Sequence, residues 1–282
     1  MIGIAFALLL TAAPMAGPQE VPAVCEPAIG VAPDWAACAQ ALPEGSPQQR
    51  FARVNQAAEA YLNRDYEAAE QLFDQAGALD PFSSDVLYAF RADTRQHVGR
   101  DKDATADARA AWLLLAGAPE VEGPEAEATA ETERRRFLLS LILPILKTGR
   151  DPAFDEAFAA FRALPVKDVD GYATLAMVLE QLGDFDGALA ASLMAVKAEP
   201  ANFGYLNNHC YILVRAGRAA EGLPFCEKAV QGAPELAPLQ HSLAAALAGA
   251  GRCAESGAAL AEARRLEPAT VLYQQPLACT PG

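Results

Sequence analysis

The sequence predicts an all-α fold, a solenoid of stacked helical hairpins, and three observations carry that prediction. Proline recurs at a 34-residue interval, at Pro200, Pro234 and Pro268. Small and apolar residues keep the same interval: Ala195, Ala229 and Ala263; Leu179, Leu213 and Leu247; Ala188, Gly222 and Ser256; and Gly149, Gly183, Gly217 and Gly251. Composition agrees, with 52% hydrophobic but only 7% aromatic residues and alanine throughout, which suits closely packed helices better than a broad β core. An array also frees 282 residues from the choice between one large and two small domains, because each unit contacts only its neighbours.

Each column has a physical task. Tyr172, Leu175 and Leu179 are spaced by three and four, which gives one face of a first helix. Gly183 ends that helix, since glycine takes the left-handed conformation of a C-terminal cap. Asp184 and Asp186 open a second helix at its positive end, and capping accounts for both carboxylates. Ala188 and Ala195 lie seven residues apart on that helix, where small side chains let two helix axes approach. Pro200 stops it.

Thirty-four residues, two antiparallel helices, small residues between them and a closing proline resemble the tetratricopeptide repeat family. The copies are 169–202, 203–236 and 237–270, and Tyr66, Ala69, Ala76 and Pro81 repeat the spacing of Phe185, Ala188, Ala195 and Pro200. Tyr172 and Leu206 replace the family's first-helix tryptophan, and Ala176, Cys210 and Ala244 replace its glycine. The resemblance covers roughly 50–270 and implies a right-handed α–α superhelix of about five to six hairpins. Pro81 to Pro200 is three periods plus 17 residues. The stretch Gly117 to Glu133, rich in proline, glycine and glutamate, is expected to be the inserted segment. Degenerate hairpins are expected at 84–118 and 135–168, with Pro144 kinking the helix that contains it.

The expected organisation is therefore a secretory signal at 1–17, an N-terminal segment at 18–49 and hairpins at 50–118. An acidic linker at 119–133, hairpins at 134–270 and a tail at 271–282 complete it. Ile2 to Leu10 is an uncharged apolar run followed by small residues, the pattern of a cleaved leader, and it is shorter than the ~20 residues that span a bilayer. Periplasmic or secreted location is the expectation, with membrane contact only through that segment. Six cysteines (Cys25, Cys38, Cys210, Cys226, Cys253 and Cys279) fit an exported chain with disulfides. Cys210 and Cys226 stand about equally far from the Gly217 turn, so they reach the same height on antiparallel helices. Pairing each cysteine with its neighbour is expected. The alternative is a thiol-redox or metal site built on Cys210, Cys226 and His209.

A net charge of −14 repels phosphate backbones and excludes nucleic acid. With three histidines, His97, His209 and His241, and no protease, nucleophile-elbow or phosphate-loop motif, no catalytic residue and no cofactor is expected. The family resemblance implies a concave face lined by the first helices, where a protein or extended peptide binds. Candidate contacts are Asn207, Asn208, Tyr211 and Arg215, flanked by Thr174, Met177, Gln181, His241 and Ser242, with Phe51 and Tyr61 similarly placed in the first repeat. Asn208 matches one place of the family's carboxylate clamp, but Asp170 and Ala173 stand where that clamp has lysines. The second reading is an obligate subunit that docks by another face.

Overall fold

The computed structural model describes residues 22–26, 33–79, 84–118 and 125–279, with side chains from 129 onward in the last stretch. The expected leader, Pro81 and the first part of the 119–133 linker lie outside them. Every regular element among the described residues is helical, and no described helix is long and apolar enough to cross a membrane. The chain divides into two units, Met1–Pro165 and Val166–Gly282.

In the first unit a short 3-10 turn precedes α1 (Trp35–Ala41). Three hairpins follow: α2 (Pro47–Leu62) with α3 (Tyr66–Leu79), α4 (Asp85–His97) with α5 (Asp101–Gly117), and α6 (Glu125–Thr148) with α7 (Phe154–Ala163). Serines cap two of the first helices: Ser46 accepts from the Gln49 N–H and Ser84 from the Leu87 N–H, each at 3.1 Å, which satisfies amides that a helix start leaves orphaned. The core is aromatic, with Phe90 against Tyr61, Phe73 and Phe137. A buried ionic network ties three helices together. Asp107 on α5 accepts two hydrogen bonds from Arg91, at 2.7 and 2.8 Å, and one from Arg95 at 2.6 Å. Both arginines, on α4, also reach Asp74 on α3.

The second unit holds the regular repeats: α8 (Val169–Gln181) with α9 (Phe185–Ala198), α10 (Phe203–Arg215) with α11 (Ala219–Gly232), and α12 (Ala237–Gly249) with α13 (Cys253–Leu266). The single-turn α14 (Val271–Gln274) follows. The small columns act on backbone, not only on side chains. A Cβ on Gly222 would stand 3.0 Å from the Cys210 carbonyl oxygen. One repeat later the Ser256 hydroxyl donates to the equivalent carbonyl, that of Ala244, at 2.8 Å.

Six hairpin turns among the described residues share one closure. A left-handed residue follows each first helix (Arg64, Gly99, Arg150, Gly183, Gly217 and Gly251). The next amide bonds back five residues, as from Asp184 to Leu179 at 2.8 Å, the Schellman pattern. The glycine column needs one correction. The third turn is made by Arg150, and Gly149 instead packs against Thr105 of α5, where a Cβ would collide. From Gly99 to Arg150 is 51 residues, one period plus 17, so the phase break falls in this hairpin. From Glu125 onward the stretch expected as linker is helix: it begins α6, which continues through Pro144 to Thr148.

Three disulfides join sequence neighbours: Cys25–Cys38, Cys210–Cys226 and Cys253–Cys279, with Cα separations of 4.9, 5.5 and 5.6 Å. The first fastens the 3-10 turn to α1, and the last ties the tail beyond α14 to the start of α13.

Candidate functional site: the first-helix face

In both units the first helix of one hairpin packs on the first helix of the next, α4 on α6 and α10 on α12 among them. The second helices pack within their own hairpin and onto the first helix that follows. One polar link recurs between successive first helices. In the second unit Glu180 of α8 meets Arg215 of α10 at 2.8 Å, and Arg215 also donates to the Tyr211 hydroxyl at 3.3 Å and lies over its ring. In the first unit Tyr61 of α2 donates to Asp93 of α4 at 2.6 Å, and His97 approaches the same carboxylate at 3.4 Å. Counted back from the left-handed turn residue, the positions coincide. Tyr61 and Glu180 are third, Asp93 and Tyr211 sixth, His97 and Arg215 second. Acid and tyrosine have exchanged places while the basic group stays.

Burial tunes these groups. It holds the Asp93 carboxyl above the usual carboxylate range against the opposing Tyr61 hydrogen bond and His97, and it raises the Tyr61 phenol, with Asp93 adding to the effect. In the second unit burial, then the hydrogen bond to Asp170, pushes the Tyr205 phenol up to about 12. His209 is buried with its Nδ1 2.7 Å from the Ser192 hydroxyl, which itself reaches the Leu189 carbonyl. Burial, then Arg218, lowers the His209 pKa, which favours the neutral ring, and with the Ser192 hydroxyl donating to Leu189 the Nδ1–H tautomer donates to Ser192.

No protein-family model matches the chain, and no curated protein sequence does. Solved structures do. A tetratricopeptide repeat protein from Parabacteroides merdae superposes with a TM-score of 0.59 at 12% identity, over 85% of this chain and 87% of that one. The chain has the tetratricopeptide-repeat fold. PilW, a type IV pilus biogenesis factor, matches with a TM-score of 0.55 at 16% identity, over 81% of this chain and 98% of its own. Cut9, in its hetero-tetramer with Hcn1, gives 0.54 at 13% identity, over 85% of this chain and 44% of that one.

The tetratricopeptide register sorts the nine candidate contacts. Thr174, Met177 and Gln181 on α8, with Asn208, Tyr211 and Arg215 on α10, are partly or fully exposed, and no side-chain hydrogen bond among the described residues engages Thr174, Gln181 or Asn208. Three differ from expectation. Ser242 is buried, with its hydroxyl donating to the Pro238 carbonyl of its own helix at 3.0 Å. Asn207 turns its Oδ1 inward, where the atom is buried without a partner. His241 packs on Tyr273 of α14, ring centroids 5.1 Å apart, and burial lowers its pKa. Phe51 and Tyr61 are likewise used internally, Phe51 against Trp35 and Tyr61 on Asp93. Arg215 is half-exposed and paired with Glu180 through Nη1.

Glu180 was missed by sequence reasoning. Its one signal was an acid near the end of the first helix, 35 residues before Arg215. The metal alternative at Cys210 and Cys226 fails on chemistry: both sulfurs are in a disulfide and fully buried, which leaves no thiolate to ligate, and His209 is engaged by Ser192.

Proposed function

We propose that the chain is an exported adaptor that binds a segment of another protein along the first-helix face of its second unit. The observation that carries the reading is the row of unengaged amide and hydroxyl groups on α8 and α10, Thr174, Gln181 and Asn208, set around exposed Met177 and half-buried Tyr211. Such groups exchange hydrogen bonds with an extended backbone, and methionine and tyrosine adapt to varied side chains. Packing of first helix on first helix supports that face as the inner, concave side of the array. Three disulfides support an oxidising compartment and hence export. Cut9 is found in an assembly with another protein, and the shared fold supports the same mode, binding and not catalysis, here.

The test is a pull-down from the native envelope with wild type and the Asn208→Ala/Tyr211→Ala double variant. The reading expects the variant to lose its partner while keeping its helical spectrum and melting temperature. Retention of every partner would place binding on another face.

A further inference from the structure

The three first helices of the second unit are nearly free of charge. Among the 39 residues of α8, α10 and α12 only Asp170, Glu180 and Arg215 are charged. The 42 residues of α9, α11 and α13 carry nine such side chains, in proportion with a chain that is 21% charged. Two of the three face each other, and the third, exposed Asp170, stands in the first turn of α8. Glu180, with a side chain 10% exposed, is paired to Arg215, and Asp170 accepts the Tyr205 hydroxyl at 2.8 Å. α12 contributes no charge at all, since burial keeps His241 neutral at pH 7.

On a chain of net charge −14 this face therefore offers hydrogen-bond groups and apolar surface with little charge beyond the first turn of α8. A charged side chain laid across it beyond that turn would lose hydration and meet only the Glu180–Arg215 pair, whose charges already answer each other. A C-terminal carboxylate would have to share Arg215 with Glu180. Resting on the binding reading above, we infer that the occupant is an internal, extended segment of a protein partner. Over the stretch crossing α8, α10 and α12 it lacks Asp, Glu, Lys and Arg, and it is held by its backbone amides and small or apolar side chains. Recognition of this kind is insensitive to salt, because no ion pair is screened.

The experiment uses the full chain with its disulfides intact and four random twelve-residue peptide pools. One is uncharged with an amidated C-terminus, one uncharged with a free carboxylate, one enriched in Asp and Glu, and one enriched in Lys and Arg. The readout is enrichment on wild type over the Asn208→Ala/Tyr211→Ala variant at low and high salt, the variant's fold being checked by circular dichroism. Both uncharged pools are expected to be enriched equally, about tenfold, the loss that follows from removing one hydrogen bond and one aromatic contact, and equally at both salt concentrations. Enrichment confined to the free-carboxylate pool or to a charged pool overturns this inference and leaves the binding face standing. Equal retention of all pools by wild type and variant overturns the binding face itself.

Discussion

Replacing Cys210 and Cys226 together by alanine tests how the second unit is held. The bond closes a 16-residue separation between α10 and α11, and the chain-entropy relation for that length gives about 3 kcal/mol of stabilisation. Both sulfurs are fully buried against Ala246, Leu223 and Leu243, so their loss also opens volume where α10, α11 and α12 meet. The assay is urea unfolding of the oxidised protein, followed by far-ultraviolet circular dichroism and by tryptophan fluorescence. The two tryptophans, Trp35 and Trp112, lie in the first unit. In an array stabilised by nearest neighbours, the dichroism transition should move to lower urea by the equivalent of about 3 kcal/mol, and the fluorescence transition should move less. An unchanged dichroism midpoint would refute the claim that this bond holds the hairpin.

Four further outcomes follow from named contacts. Asp107→Asn leaves Arg91 and Arg95 without their shared buried partner and should cost about 3 kcal/mol, read by fluorescence of Trp112 on the same helix during thermal unfolding. Gly222→Ala forces a methyl toward the Cys210 carbonyl and should destabilise by about 1–3 kcal/mol, whereas Gly257→Ala, where a Cβ meets nothing, should not destabilise. Burial alone would raise the Asp151 carboxyl, but hydrogen bonds from Arg109 and the Ala153 amide outweigh it and hold the group low. Its stabilisation is complete above the ordinary carboxylate pKa and is lost as pH falls through the depressed one, so Asp151→Asn should flatten acid unfolding below about pH 4. His209, whose folded pKa is lowered, stabilises fully above the ordinary histidine value and less as pH falls beneath it. The variant His209→Gln should therefore remove part of the stability loss seen as pH falls below about 6.5 in urea titrations.

What could be read in the sequence was whatever a single repeat decides for itself. The Asp184 cap, the Gly183 turn and the small Ala188 column each depend on neighbours a few residues away or one hairpin partner distant, and all three stand as the spacing implied. Residues whose partners come from the next repeat were less legible. Arg215 stood among the candidate contacts with no partner of its own, because nothing local shows that the step from α8 to α10 brings Glu180 to it. Ser242 shares a column with Asn208 and Thr174, yet on α12 its hydroxyl turns back to Pro238, which only the packing of that helix determines. The third turn escaped for a different reason. Closing a helix needs a left-handed residue, and arginine can supply one at a cost of about 1–2 kcal/mol, so glycine at 149 was free to serve contact with Thr105 instead.

The binding face can be tested by a matched pair of positions. Met177 on α8 and Met194 on α9 are exposed almost equally, 45% and 43%, but one lies on a first helix and the other on a second helix of the same hairpin. A photoreactive residue placed at either position in the full chain, irradiated in native cells, should give a discrete protein adduct from 177 and none from 194. The 177 adduct should disappear when Asn208→Ala/Tyr211→Ala is added. An adduct of equal or greater yield from 194 would contradict the account.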